Sequence, residues 1–157
     1  MQLSTTQTQQ RIDAIFRCRY RVADHREEWA RILPGLEALH AQDPQQDWDI
    51  DGIRAQLDEE MAFLLIDEDM PGAFVVARFD EYPYIRGEKE LYIYLLWHEG
   101  RDVIDRFQPH LEVFAARNGA KYMRFYSQRP AFLRVAQREG YKVRGVEYVK
   151  ELHHGLR

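Results

Sequence analysis

The chain has 157 residues, of which 45% are apolar and 13% aromatic, and this supplies one core of ordinary size and argues against disorder. No apolar run approaches the roughly 20 residues that span a bilayer, and the polar segment 1–10 lacks the features of a secretory signal. The single cysteine, Cys18, excludes an intrachain disulfide and a cysteine-based zinc cluster. We therefore expect a chain without a membrane segment, in a reducing compartment.

The charge is unevenly distributed along the chain. Residues 101–157 contain 12 Lys and Arg against 6 Asp and Glu, whereas residues 1–100 contain 10 against 20, and the net charge is −4. Two interpretations are open: the two halves dock acidic or basic partners, including copies of the chain, or they are solvated faces that satisfy each other. The arginines between Arg124 and Arg144 alternate with aromatic residues, but the overall acidity argues against nucleic-acid binding.

The first 60 residues read as helical. The apolar spacing predicts a first helix over 11–22, and Asp24 is placed to cap a second helix that Pro34-Gly35 should kink or split. A loop is expected over 43–47 and a short helix over 51–60. The inward-facing residues of that short helix are Ile53 and Leu57.

From Met61 the pattern changes to strands. An apolar run over 61–66, a turn over 69–72 and a partner over 73–79 predict a hairpin. The segment 90–97 is apolar on both faces, which is typical of a central strand. Strict alternation would place Leu91, Ile93 and Leu95 on one face, and Tyr92, Tyr94 and Leu96 on the other.

The remaining pattern alternates helices and strands. We expect a helix over 102–117, a strand over 121–127, a helix over 130–139 that Gly140 ends, and a last strand over 141–152. Connections of this kind require a sheet with parallel neighbours. The predicted fold is α/β: one domain over 1–157, with a helical part over 1–60, a core over 61–152, and a mixed sheet flanked by helices on both faces.

The segment Ala131–Tyr141, a helix that runs into a Gly–aromatic pair, resembles the last-helix motif of the GNAT (acyl-CoA N-acyltransferase) superfamily. The ending Tyr148–Leu152 is similar to the usual last strand of that family, and the order of elements matches over roughly residues 50–152. The resemblance implies a GNAT-like fold, with acetyl-CoA as the cofactor of an active member.

In that family the CoA diphosphate rests on the helix that follows the central strand, with the pattern Gln/Arg-x-x-Gly-x-Gly/Ala. The matching stretch here is Trp97–Asp102, in which only Gly100 is retained. Asp102 stands where a small residue belongs, and like charges about 4 Å apart repel by about 4 kcal/mol at a surface-like dielectric. If CoA binds, the resemblance assigns the contacts to Gly100, Arg101, Val103 and Arg106.

The family's proton donor, a Tyr four residues before the Gly–aromatic pair, is replaced here by Ala136. For the general base we rank Glu90 first, ahead of Glu88 and His98, because a carboxylate or imidazole near the central strand can deprotonate an amine. The alternative is that these residues are solvent-facing charges. His153-His154 lacks further ligands, so no metal site is expected.

Three segments resemble short GNAT-like proteins of tailed phages, including internal virion proteins of T7-like podophages: Glu90–Ile93, Gln128–Phe132 and Lys150–Leu152. The leading hypothesis is therefore a non-catalytic virion or assembly component with protein partners in the particle, possible self-association and no cofactor, found in the virion or the host cytoplasm. The alternative is an active acetyl-CoA-dependent N-acetyltransferase with atypical cofactor contacts.

Overall fold

A computed structural model describes residues 4–6, 9, 20–43, 47–70, 72–99, 103–127 and 130–152. The chain divides into two compact units, the first ending at Tyr126 and the second beginning at Ser127. The expectation of one domain over 1–157 stays a prediction. None of the described helices is long and apolar enough to cross a bilayer.

The first unit contains a mixed five-stranded sheet and three longer helices within its described residues. Their bounds are β1 Tyr20–Ala23, α1 His25–Gln42, α2 Ile50–Asp58, β2 Phe63–Asp67, β3 Phe74–Glu81, β4 Lys89–Trp97, α3 Val103–Arg117 and β5 Tyr122–Phe125. The strands lie in the order β1-β2-β3-β4-β5. Neighbours are antiparallel except β4 and β5, which are parallel and joined through α3. The α/β class and the mixed sheet are confirmed.

The N-terminal part differs from the sequence-based prediction in two places. Residues 20–22, expected at the end of a helix, belong to β1, which pairs with β2 from Tyr20↔Asp67 to Ala23↔Leu64. Pairing to an apolar strand overrides a weak local preference for helix. The rest of that predicted helix lies outside the described residues. The helix α1 runs through Pro34 without a break, so the predicted split at Pro34-Gly35 is wrong, while the kink stays a prediction.

The start of α1 follows the sequence signal. Asp24 is the N-cap, and its carboxylate accepts a hydrogen bond of 2.9 Å from the backbone N–H of Arg26. Asp49 caps α2 in the same way through the N–H of Gly52. Both helices pack on one face of the sheet, with Ile53 and Leu57 buried as predicted. The other members of this cluster are Ile32, Leu36, Ala62, Leu64, Ile66, Phe74 and Val76.

The opposite face of the sheet is covered by α3. Phe107, Leu111 and Ala115 are buried at helical spacing against apolar residues of β2, β3 and β4. Pro109 lies inside this helix without ending it, and the helix stops at Asn118-Gly119, where Gly119 has φ +79°. Helices on both faces, as predicted from the sequence, are therefore confirmed.

A β-bulge changes which residues of β4 share a face. Val76 pairs with Leu95 and Ala77 with Ile93, so Tyr94 is an extra residue on β4. As a result Leu95 packs with Tyr94 against the α1–α2 side, and Leu96 packs on the α3 side. Strict alternation predicted the reverse for Leu95 and Leu96, and it fails because the bulge shifts the period by one residue.

The second unit contains α4, Ala131–Arg138, which begins after Pro130 and is followed by Gly140 with φ +83°, both as expected. The predicted last strand over 141–152 is wrong for the structure, because those residues form no strand. A β-strand requires hydrogen-bonded pairing that an apolar pattern cannot supply by itself. The large apolar residues of this segment stay exposed: Val143, Val146, Tyr148, Val149 and Leu152.

Candidate functional site: an opening between two parallel strands

The strands β4 and β5 part before β4 ends. Their parallel pairing runs from Glu90↔Tyr122 to Ile93↔Phe125, whereas β4 continues to Trp97 and pairs on its other side with β3. The segment Tyr94–Trp97 therefore has no described strand on the side that β5 would occupy. Its outward N–H and C=O groups can hydrogen-bond an extended chain that contains amides.

The side chain at the bulge is held by two neighbouring elements. The hydroxyl of Tyr94 accepts hydrogen bonds from Nη1 of Arg78 at 3.2 Å and from Nε2 of Gln56 at 3.4 Å. The bulge thus marks the point where β4 leaves β5, and Arg78 of β3 and Gln56 of α2 fix that point on the α1–α2 face.

The far end of the open segment is fixed by a close contact with α1. A Cβ atom on Gly35 would lie 2.3 Å from Cδ1 of Trp97 and 2.7 Å from Cε1 of Phe74, so only glycine fits there. The sequence predicted that Pro34-Gly35 kinks or splits this helix. In the structure Gly35 lets the helix approach the end of the strand.

Helix α3 begins at Val103, six residues after Trp97, the last residue of β4. Its N-terminal amides are therefore close in sequence to the open segment, and such amides attract anions. Gly100 and Arg101, two of the residues proposed for the cofactor, lie outside the described residues, as does Asp102. Val103 and Arg106 fall in the first turn of α3. Their role in binding a diphosphate stays a prediction.

Glu90, the first-ranked general base, is completely buried and paired with Arg124. Its Oε2 accepts a hydrogen bond from Nε at 2.9 Å and its Oε1 accepts one from Nη2 at 2.7 Å. This bidentate geometry raises the pKa of the Arg124 guanidinium, chiefly through the hydrogen bonds to Glu90. A carboxylate with no exposed surface reaches a dissolved amine only through water or a neighbouring group. Its role as base stays a prediction.

The other candidate bases are placed differently. Glu88 accepts a hydrogen bond of 2.9 Å from Nζ of Lys121, which raises the pKa of that lysine. His98 is half-buried just beyond the end of β4, and Glu99 beside it is exposed. Ala136 lies in α4 of the second unit. His153-His154 lies outside the described residues. Among the residues that the structure describes, no group of three or more His, Cys, Asp or Glu side chains could hold a metal ion.

The sequence pattern indicates no role at this site for Arg78, places Arg124 only among the arginines that alternate with aromatic residues, and places Tyr92 only in the central strand. Arg78 of β3 and Arg124 of β5 lie directly opposite Tyr92 of β4, one on each side. Their guanidinium carbons lie 5.3 and 4.5 Å from the Tyr92 ring centroid. The spacing Arg78-x-Asp80 and Tyr92-x-Tyr94 signals a shared face, but only the pairing of three strands shows that the residues meet.

No protein-family model and no curated protein sequence matches the chain. Among solved structures, a ribosomal-protein-alanine N-acetyltransferase from Brucella melitensis biovar Abortus 2308 superposes with a TM-score of 0.63 at 15% identity, covering 86% of this chain and 99% of its own. An aminoglycoside acetyltransferase from an uncultured soil metagenomic sample, in complex with sisomicin, gives 0.58 at 13% identity, covering 89% and 97%. The chain has the GNAT fold.

Identities this low show the GNAT fold and leave the activity open. A transcriptional regulator from Bacillus halodurans C-125 superposes with a TM-score of 0.62 at 14% identity, covering 86% of this chain and 99% of its own. One fold hosts several functions. The residues of the site, rather than the fold, therefore indicate the activity.

Proposed function

We propose that the chain is an N-acyltransferase that uses an acyl-CoA thioester, with acetyl-CoA as the donor. The observation that carries this proposal is the open edge of β4 over Tyr94–Trp97, where the pairing with β5 has ended at Ile93↔Phe125. The pantetheine arm of CoA is an extended chain with two amides, and it suits an unpaired strand edge.

In this proposal the chain binds the donor with backbone groups. The edge of β4 hydrogen-bonds the arm, and the first amides of α3 face the diphosphate, where the helix dipole favours negative charge. The resemblance to the GNAT family assigns Gly100 and Val103 to backbone contacts with the diphosphate, and Arg101 or Arg106 to phosphate contacts. Glu99 is exposed, so solvent and salt screen its charge.

The donor supplies an activated acyl carbon. In the transfer the nitrogen of the amine acceptor bonds to that carbon as the carbon–sulfur bond breaks, the amine loses a proton and the thiolate gains one. Glu90 is proposed as the proton acceptor, and because it is fully buried it would act through water. Its two hydrogen bonds from Arg124 also offer a second role, in which Glu90 positions Arg124.

The non-catalytic virion or assembly role remains the second candidate. Its sequence support is the carboxylate of Asp102 in the diphosphate position, which lies outside the described residues, and the solved structures of the same fold provide no support for a phage component. The two candidates differ in one property, because only the enzyme must bind the donor.

Thermal unfolding of the full chain with and without acetyl-CoA tests the proposal. A ligand at a hundredfold excess over its dissociation constant stabilises the native state by about 2.7 kcal/mol. We expect a concentration-dependent rise in Tm with acetyl-CoA, and smaller rises at the same concentration with acetyl-pantetheine, which lacks the diphosphate, and with ADP, which lacks the pantetheine arm. Absence of any rise with acetyl-CoA would reject the enzyme and favour the assembly role.

A further inference from the structure

A row of three side chains crosses the sheet beside the opening. Arg78 and Arg124 flank Tyr92 on neighbouring strands, so their Cα atoms lie about 10 Å apart at the usual strand spacing. Both guanidinium groups lie over the same ring, at 5.3 and 4.5 Å from its centroid. The side chains remain 27% and 36% exposed, so both groups are accessible to a solute.

Each guanidinium donates a hydrogen bond to a carboxylate and has one nitrogen available for a further contact. Arg78 donates through Nε to Asp80 at 2.6 Å and through Nη1 to Tyr94. Arg124 donates through Nε and Nη2 to Glu90. Among the described residues, Nη2 of Arg78 and Nη1 of Arg124 have no hydrogen-bond partner. Anchored side chains lose little entropy on binding a ligand, and guanidinium N–H groups match anionic oxygens.

The row is close to the place where acyl transfer would occur. Arg78 contacts the hydroxyl of Tyr94, which is the bulge residue and the first residue of the open edge of β4. Arg78 also lines a cavity of about 510 Å³ with Leu57, Met61 and Ala62. A small molecule bound at the row can therefore place a second group near Tyr94.

We propose that the acyl acceptor is a small amine that also carries an anionic oxygen group, a carboxylate or a phosphate, which Arg78 and Arg124 bind across Tyr92. This inference rests on the proposed acyltransferase function and adds the acceptor class. The amine can reach the acyl group near Tyr94, while the anion is held beside Tyr92, two residues earlier on β4.

Matched acceptors that differ only in the anion test the inference. ω-Amino carboxylates of two to six carbons are compared with their amides, and O-phosphoethanolamine is compared with ethanolamine, with acetyl-CoA saturating. One charge-assisted hydrogen bond corresponds to roughly tenfold or more in kcat/KM. We expect kcat/KM for at least one anionic acceptor to exceed that of its neutral partner by about tenfold or more. The comparison with amides tests for a carboxylate acceptor, and the comparison with ethanolamine tests for a phosphate acceptor.

The variant Arg78→Gln should remove the preference. Arg54→Gln is the matched control, because Arg54 also lies over an aromatic ring, that of Trp29 at 4.9 Å, but belongs to the outer side of α2. Arg124→Lys keeps a positive charge beside the buried Glu90 while losing the planar fork, so it tests Arg124 without leaving a buried unpaired carboxylate. We expect it to reduce the preference and to leave the protein folded.

Equilibrium binding of the anionic acceptors without acetyl-CoA separates this inference from the proposed function. If acetyl-CoA binds but acceptors and their amides react equally well, or if Arg78→Gln behaves as Arg54→Gln, the row is a structural ion-pair network and the inference is wrong. If acetyl-CoA fails to bind while an anionic acceptor binds wild-type protein more tightly than Arg78→Gln, the anion site stands and the acyltransferase proposal fails.

Discussion

Arg124 donates to both carboxylate oxygens of Glu90, at 2.9 and 2.7 Å, and joins the only parallel strand pair of the described sheet. The two partners differ in exposure, since Glu90 has none and the side chain of Arg124 is 36% exposed. This asymmetry determines what happens when either partner is removed.

We expect Arg124→Met to destabilise the protein by about 3 kcal/mol, because it leaves a buried carboxylate without its partner. Glu90→Gln should cost about 1 kcal/mol, because the remaining guanidinium can be hydrated. Urea unfolding measures both values. The double variant should be more stable than Arg124→Met alone, and equal costs for the two single variants would contradict the assignment.

The contact between Gly35 and Trp97 gives a second prediction. Gly35→Ala gains up to about 1 kcal/mol of helix propensity, but its Cβ would lie 2.3 Å from a rigid indole ring, and overpacking costs about 1–3 kcal/mol. We expect a net loss in the free energy of unfolding. Gly145→Ala is the control, since a Cβ there has nothing within 4 Å, and it should be neutral. A stable Gly35→Ala would show that α1 and the end of β4 are not in contact.

The pair His25–Asp58 predicts a pH dependence of stability. His25 Nε2 lies 2.6 Å from Asp58 Oδ1, and this hydrogen bond, helped by the nearby charges of Arg26 and Arg54, lowers the pKa of Asp58 below its ordinary value of 3.8. A lowered carboxylate pKa stabilises the native state above the unfolded value, and this contribution is lost as the pH falls through the folded value.

Asp58→Asn should therefore be less stable than wild type at pH 7 and at pH 5, and the difference should close as the pH falls below about 3.8. Thermal or urea unfolding across this range provides the measurement. Asp51→Asn, on the exposed side of the same helix, is a suitable comparison. A difference that grows toward acid pH would mean that the lowered pKa of Asp58 is wrong.

The carboxylate of Asp102 gives the sharpest test of cofactor placement. If the diphosphate rests where the sequence pattern places it, Asp102→Gly removes a repulsion of up to about 4 kcal/mol and should strengthen stabilisation by acetyl-CoA. The gain should shrink as salt is added, because salt screens the repulsion. Stabilisation of wild type and variant by the same amount would place the diphosphate elsewhere.

Local sequence signals by themselves predicted much of the fold. The cap at Asp24, the hairpin of β2 and β3, the central strand β4 and the stop at Gly119 each follow from a few neighbouring residues, and all agree with the structure. Each signal is short-range, because caps, turns and apolar periods act within one or two turns of chain.

Tertiary pairing decided the rest. Tyr20 belongs to a strand because β1 pairs with β2. The bulge at Tyr94 exchanges the faces on which Leu95 and Leu96 lie, and the alternation of apolar residues along β4 does not reveal this exchange. Residues 141–152 have the pattern of a strand but form none in the structure.

The candidate site shows the same division. Glu90 could be singled out by its type and its position near the central strand, but its ion pair with Arg124, 34 residues away, follows only from the parallel register of β4 and β5. The row of Arg78, Tyr92 and Arg124 exists because three separate strands come into register. Sequence alone determines which residues can carry charge and alternate on a strand, whereas the long-range hydrogen-bonded register decides which of them meet.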